Sequence, residues 1–304
     1  MKFKLGCDPE LFVKDNNGNL VSAHRMVPGT KEKPEPVRCG AIQVDGMALE
    51  YNIHPAENVN EFVNFNKQVL AQLKERIPKG YEFFINPLAD FGSHVIKAQP
   101  EEARILGCDP DFNAYTGKLN PAPEVDLPYR SASGHIHIGF TEDKDPMDPT
   151  HFMECRLITI LLDRYLGVES LAYEPAIAGK TRRRLYGKAG AFRPKSYGLE
   201  YRVLSNFWIQ NEGYMRWIYS VIEQILNNRN VQLMSLKGIE FTKGPFELVT
   251  LTTAMEYPQR LIDNNYFGGY VNRRMIDTCS SLYRRELARK VGSGSDPVNV
   301  GRYV

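Results

Sequence analysis

The chain has 304 residues with 42% hydrophobic and 24% charged content, enough to bury a substantial core in one large domain or two small ones. A formal net charge of +2 supplies no global basic field, so nucleic-acid binding by bulk electrostatics is not expected. Five scattered cysteines without a CxxC pair argue against a disulfide framework or zinc knuckle, and neither a signal peptide nor a membrane-spanning apolar run is seen, so a soluble cytoplasmic protein is expected.

Residues 2–13 alternate as a strand does, and Asn16-Asn17-Gly18-Asn19 reads as a hairpin turn into Leu20-Val21-Ser22. A Pro-, Gly- and Lys-rich stretch over 28–36 reads as a loop, and 40–54 as two strands folded about Asp45-Gly46. Asn58 caps a first helix, with Glu61 placed for a capping box and an apolar stripe from Val59 to Ile77. Residues 81–86 read as a strand, 98–128 as an irregular excursion, and 131–140 as a strand. Asp148 and Pro149 start a second helix that runs to Leu166, where Gly167 is expected to stop it. The spacing then predicts a basic loop over 179–195, a strand over 197–205 and a helix over 212–228. Further helices are predicted near 253–264 and 271–290, followed by a tail over 291–304. Without strict βα alternation, the fold class expected is α+β with a mainly antiparallel sheet. The whole chain, 1–304, is expected to form one domain: a motif-bearing core over 1–210, a helical part over 211–290 and the tail. No glycine-rich phosphate loop follows a strand.

Several strands carry polar residues two apart, which places them on one face. Asp8 and Glu10 do so, as do Glu50, Asn52 and His54; Ser133, His135 and His137; and Glu200 and Arg202. The alternating positions Leu11, Val13, Ile53, Ile136, Ile138, Leu199, Tyr201 and Val203 suit a core. A solvated polar face would account for any single pair. Four pairs of differing chemistry, flanked by Gly, Pro or Asn, look instead like a ligand-binding surface. Carboxylates suit hard cations such as Mg²⁺ or Mn²⁺, whose natural companion is a polyphosphate. The segment Lys180, Arg182, Arg183, Arg184, Lys188, Arg193 and Lys195 offers matching cations, and arginine holds phosphate oxygens in a planar fork. An exposed basic loop without a ligand is the plainer alternative. Cys7, beside the acid pair, reads as a small buried residue.

The motifs Gly6-Cys7-Asp8-Pro9-Glu10-Leu11-Phe12, Leu49-Glu50-Tyr51-Asn52-Ile53-His54-Pro55, Gly134-His135-Ile136-His137-Ile138-Gly139 and Gly198-Leu199-Glu200-Tyr201-Arg202 occur in that order. Together they resemble the glutamine synthetase and γ-glutamylcysteine ligase superfamily. Within it, and with Gly107-Cys108-Asp109-Pro110-Asp111-Phe112-Asn113-Ala114-Tyr115 added, the chain is similar to the phage-encoded carboxylate–amine ligases, a predicted amidoligase family. The resemblance covers about residues 5–210 and implies a saddle-shaped antiparallel sheet, with helices packed on one face, holding ATP and Mg²⁺ or Mn²⁺. It implies metal ligation by Asp8, Glu10, Glu50, His135 and Glu200, with His137 on metal or phosphate. Arg202 and Arg193 would stabilise the transferring phosphoryl group, Glu50 would be close to the chemistry, and Lys180, Arg182, Arg183, Arg184 and Lys195 would contact nucleotide. Asp8 stands where the family more often has Glu, shortening that ligand by a methylene. The implied reaction joins a small-molecule or peptide carboxylate to an amine through an acyl phosphate, in the host cytoplasm if the chain is phage-encoded. No nucleic-acid or membrane partner is implied, and oligomeric state is left open.

Two other functions fit parts of the pattern. His135 and His137 could ligate zinc or iron in a hydrolase, although no third histidine sits in a comparable context. Alternatively, the chain could be a binding or virion protein that keeps the ligase fold without its chemistry.

Overall fold

The computed structural model describes residues 2–104, 111–121 and 127–227, which all fall in Met1–Asn265, the first of two units into which the chain divides. The helices expected near 253–264 and 271–290, the tail, and Gly107 to Pro110 lie outside the described residues.

Strand β1 (Lys4–Lys14) is the axis of the structure. It pairs antiparallel with β10 (Gly134–Gly139) on one side and with β5 (Ala48–Ile53) on the other. Beyond β5 come β4 (Gly40–Asp45) and β3 (Glu35–Val37); beyond β10 come β12 (Gly198–Tyr201), β11 (Ala191–Lys195) and β8 (Phe112–Asn113). With β2 (Leu20–Val21) and β6 (Glu82–Phe84) paired to the far end of β1, ten strands of the described residues form one sheet. A separate pair joins β7 (Leu88–Asp90) to β9 (Tyr129–Ser131). All these pairings are antiparallel, as expected from the sequence. The open end at β3 carries Pro36, which is exposed, and the other end, β8, has two residues.

The apolar positions of the alternation that suggested these strands line one buried face, although β12 is buried at all four residues. Leu5, Cys7 and Leu11 of β1, Ile136 and Ile138 of β10, and Leu199 and Tyr201 of β12 are all buried. Three helices cover this apolar face: α1 (Val59–Arg76) lies against β4 and β5, α4 (Pro149–Leu162) against β11 and β12, and α7 (Glu212–Asn227) against α1 and α4. Asn58 caps α1 by accepting the Glu61 amide at 3.0 Å, and Asp148 caps α4 by accepting the Thr150 and His151 amides at 3.0 and 2.9 Å. At Phe12 the second face of β1 also becomes apolar, entering a cluster with Met47, Ala89, Phe91 and Ile96. The polar face of β1 therefore ends at Glu10.

Some local expectations are corrected. Gly167 does not stop the second helix: the chain passes through a π-helical turn (Asp163–Gly167) into a short α5 (Val168–Ser170). Two short helices, α2 (Ser93–Lys97) and α3 (Glu101–Arg104), lie at and just before the stretch read as irregular. The strand expected over 131–140 is divided between β9 and β10. Most consequentially, the basic segment is not a loop. It forms α6 (Ala176–Leu185), a short turn and β11. A 3-10 turn (Asn206–Gln210) then leads from β12 toward α7.

Candidate active site

Register determines which side chains meet. Across β1 and β10, Asp8 lies opposite His135 and Gly6 opposite His137; across β1 and β5, Glu10 lies opposite Glu50. Glu200 of β12 lies opposite His137 on one side and Arg193 of β11 on the other. Directly opposed residues share a face, so Asp8, Glu10, Glu50, His135, His137, Glu200 and Arg193 all project from the side of the sheet away from the helices. Residues up to 192 positions apart in sequence are thereby gathered at one place. Close packing at the strand end helps: a Cβ on Gly134 would lie 2.4 Å from the Trp208 indole nitrogen and 2.5 Å from the Ser205 carbonyl.

Asp8, His135 and Glu200 each offer a donor atom within 4.8 Å of the others. His135 Nδ1 is 3.4 Å from Asp8 Oδ1 and 3.5 Å from Glu200 Oε1. Asp8 Oδ1 and His135 Nε2 are buried without a hydrogen bond among the described residues, whereas Asp8 Oδ2 lies 3.1 Å from His137 Nε2. Two carboxylates and one imidazole, with a buried carboxylate oxygen left over, fit a divalent cation. His137 is differently employed, because its Nδ1 meets the Tyr197 hydroxyl at 2.5 Å. Its Nε2 faces Asp8, so His135 and His137 flank the two oxygens of one carboxylate.

A second acidic group adjoins the first. Glu10 accepts the Ser133 amide at 2.8 Å, and Glu50 accepts the Gln43 side-chain amide at 2.7 Å. Burial, then the negative charge of Asp45, pushes the Glu10 carboxyl up to about 8. Burial and the neighbouring Asp8, Asp45 and Glu10 raise Glu50 well above the usual range, and Asp45 is raised chiefly by its own burial. Burial would also raise Asp8, but His137 and His135 outweigh it and hold that carboxyl far below its ordinary value. Glu200 follows the same logic: burial opposes ionisation, yet Arg202 beside it brings the carboxyl down to about 2. Acids that raise one another in this way form a site of concentrated negative potential.

The cations divide into two sets. Arg202 pairs with Glu200 through Nη1 and with Asp111 through Nε at 3.1 Å. Arg193 Nη1 and Lys195 Nζ lie 3.0 and 3.2 Å from Glu200 Oε2. These three stand over the acidic cluster, as the sequence pattern suggested. Arg182 and Arg183 do not. The Arg182 guanidinium is fully buried and donates to the carbonyls of Val203 and Leu204 at 2.8 Å and to Ser133 Oγ at 3.0 Å, tying α6 to the chain beyond β12. Arg183 is buried against Glu174, which also accepts the Ser205 hydroxyl at 2.7 Å. Lys180 and Arg184 are exposed on α6. His54, placed with Glu50 by its spacing, is exposed beyond the end of β5.

Asp45 and Asp111 were missed as site residues from sequence. Asp45 was absorbed into the hairpin dipeptide it forms with Gly46, although Gln43 and Asp45 are two apart and Gln43 lies opposite Glu50. Asp111 stands outside any period-two strand, so no spacing rule reached it. A cavity of about 1220 Å³ opens beside this cluster, lined among others by Lys4, Gly6, Asn52, His137, Phe140 and Tyr197.

Residues 127–241 match the family described as Phage phiEco32-like COOH.NH2 ligase-type 2. Over that span the match bears out the resemblance to the phage-encoded carboxylate–amine ligases. The ligase-family match contains His135, His137, Arg193, Glu200 and Arg202; Asp8, Glu10 and Glu50 lie outside it and reach it through the pairing of β1 with β10. Among solved structures, a bifunctional glutathione synthetase from Pasteurella multocida is 11% identical, with 96% of this chain and 49% of that one covered and a TM-score of 0.42. The chain thus spans about half the length of that protein. A structure described as a novel glutamine synthase homolog is 13% identical, with 96% and 68% covered and a TM-score of 0.36. No curated protein sequence matches significantly. Among the described residues, no helix is long and apolar enough to cross a membrane.

Proposed function

We propose that the chain is an ATP-dependent carboxylate–amine ligase that forms an amide or peptide-like bond, releasing ADP and phosphate. The observation that carries this is the convergence of Asp8, Glu10, Glu50 and Glu200 with His135 on one sheet face, directly under Arg193, Lys195 and Arg202. The family match over residues 127–241 supports the same class of reaction.

A carboxylate resists attack by an amine because oxide is a prohibitive leaving group. Transfer of the γ-phosphoryl group of ATP to a carboxylate oxygen breaks the β–γ bridge, releases ADP and leaves an acyl phosphate. The amine then adds to the acyl carbon, phosphate departs with the electron pair of its C–O bond, and the nitrogen loses a proton. Such chemistry asks the protein mainly for alignment and charge compensation. Asp8, His135 and Glu200 would hold one Mg²⁺ or Mn²⁺, with Glu10 and Glu50 beside it for another, and a cation there supplies neutralisation of phosphate charge. Arg202 and Arg193 would face the charge that grows on the transferring group, each oriented by its bond to Glu200. His137 would border the nucleotide, to which we assign the cavity at its side.

The deciding experiment incubates the protein with pools of acids and amines, ATP and Mg²⁺, and follows nucleotide products alongside coupled-product mass. ADP and inorganic phosphate with a condensed product are expected. Formation of AMP and pyrophosphate would exclude the acyl-phosphate route.

A further inference from the structure

The hairpin turn between β11 and β12 places an unassigned side chain against the acidic cluster. Gly198 has φ +147°, and a Cβ there would come within 2.1 Å of the Ile138 carbonyl, so the turn lies tightly on β10. The Tyr197 carbonyl accepts the Phe140 and Thr141 amides at 2.9 and 3.1 Å, fixing the turn by its backbone. This delivers the Tyr197 hydroxyl to His137 Nδ1 at 2.5 Å, while His137 Nε2 stands 3.1 Å from Asp8 Oδ2. Gly6, opposite His137, adds no side chain of its own, and both His137 and Tyr197 border the cavity.

We propose that Tyr197 is a positioning residue of the metal site, fixing the ring and tautomer of His137 so that His137 secures one oxygen of Asp8 and leaves the other for a cation. This rests on the assignment of Asp8 as a metal ligand. A neutral imidazole has one donor nitrogen and one acceptor. A carboxylate accepts only, so the nitrogen facing Asp8 Oδ2 carries the hydrogen, and in the neutral ring Nδ1 is then the acceptor for the phenol. With Oδ2 engaged by His137, Asp8 turns Oδ1 toward His135 Nδ1, 3.4 Å away, and that oxygen has no hydrogen bond among the described residues. Without the Tyr197 hydroxyl, Nδ1 loses its partner, the ring can exchange its nitrogen and carbon edges, and Asp8 is free to rotate. Outer partners of this kind orient metal ligands, and their loss typically weakens metal binding about 10- to 100-fold.

The test uses Tyr197→Phe, which keeps the aromatic ring and every backbone bond of the turn. Mn²⁺ binding is measured by calorimetry on wild type and variant. Nitrogen-15 spectra of the histidine side chains are recorded with Mg²⁺, and His137→Gln identifies the His137 signals. We expect the variant to bind Mn²⁺ about tenfold more weakly. Wild-type His137 should appear with its proton on Nε2 and a hydrogen-bonded Nδ1, and the variant should lose that Nδ1 signature. Unchanged Mn²⁺ affinity in the variant overturns the role of Tyr197 while leaving the metal site standing. A wild-type His137 protonated on Nδ1 alone overturns it even if the variant fails to fold. A wild type that binds no Mn²⁺ removes the metal-site assignment, and this proposal with it.

Discussion

At the scale of single residues, Arg202 occupies the most demanding position in the site. Its guanidinium is almost entirely buried between Glu200 and Asp111, and it sits two residues from Glu200, on the same face. Two carboxylates hold the fork in place, so it is oriented before any substrate arrives. Arg202→Ala should lower turnover by about 10²- to 10³-fold, with a smaller change in nucleotide KM, because charge compensation acts chiefly in the transition state. Arg202→Lys should recover little of this, since an ammonium cannot reproduce a two-pronged contact. Steady-state kinetics with ATP varied would show it; near-normal turnover in Arg202→Ala would leave Arg193 and Lys195 as the groups acting on phosphate. The placement of Arg202 beside Glu200 was legible from sequence because Glu-Tyr-Arg is a period-two pattern with an apolar centre. Its partner Asp111 was not, because nothing local announces a contact made across 91 residues.

At the scale of elements, strands were more legible than the basic segment, for a physical reason. A strand with one face against helices and the other against polar groups alternates apolar and polar residues, and the sequences of β1, β5, β10 and β12 do. Arginine is ambiguous: the same side chain serves a phosphate or a set of stranded backbone carbonyls. Gly179 serves close packing, since a Cβ there would meet the Glu174 carboxyl carbon at 2.7 Å. Gly187 likewise makes room for the Arg182 guanidinium. The consequence is a division of labour within α6. Arg182→Ala should destabilise the protein by about 3 kcal/mol or more, because it strands several buried carbonyls at once. Lys180→Ala and Arg184→Ala, on the exposed side of the helix, should change stability by less than about 0.5 kcal/mol. Urea unfolding of the three variants would separate them, and an Arg182→Ala protein of wild-type stability would restore that residue as a candidate phosphate contact.

At the scale of the whole molecule, the acidic face links protonation to folding, and would link both to a bound cation. Glu10, raised to about 8 by burial and Asp45, and Glu50 and Asp45, raised likewise, are easier to protonate in the folded chain than in the unfolded one. The stability they contribute is fully present below their unfolded values and is lost as pH rises toward the folded ones. Asp8 and Glu200 are lowered instead; their contribution is present above the ordinary carboxylate range and is lost in strong acid, well below this window. In EDTA the melting temperature should therefore fall between about pH 5 and pH 8 as these acids ionise against one another. Mg²⁺ should reverse the loss, with a larger gain at pH 8 than at pH 6 and with release of protons on binding. Thermal melts at the two pH values, with and without Mg²⁺, would show this, and an equal Mg²⁺ effect at both would refute the coupling.

The two ends of the sheet bear on how the protein behaves in crowded solution. An exposed strand border is a template on which another chain can add by backbone pairing. Here one border is Glu35–Val37 with Pro36 at its centre, and a proline paired within a sheet turns its missing donor outward. The opposite border offers a strand of two residues. Among the described residues, neither of these two borders presents a continuous row of donors and acceptors for strand-by-strand accretion. Pro36→Val would return an outward N–H to that border, and light scattering during slow heating should then register aggregation at a lower temperature than in the wild type.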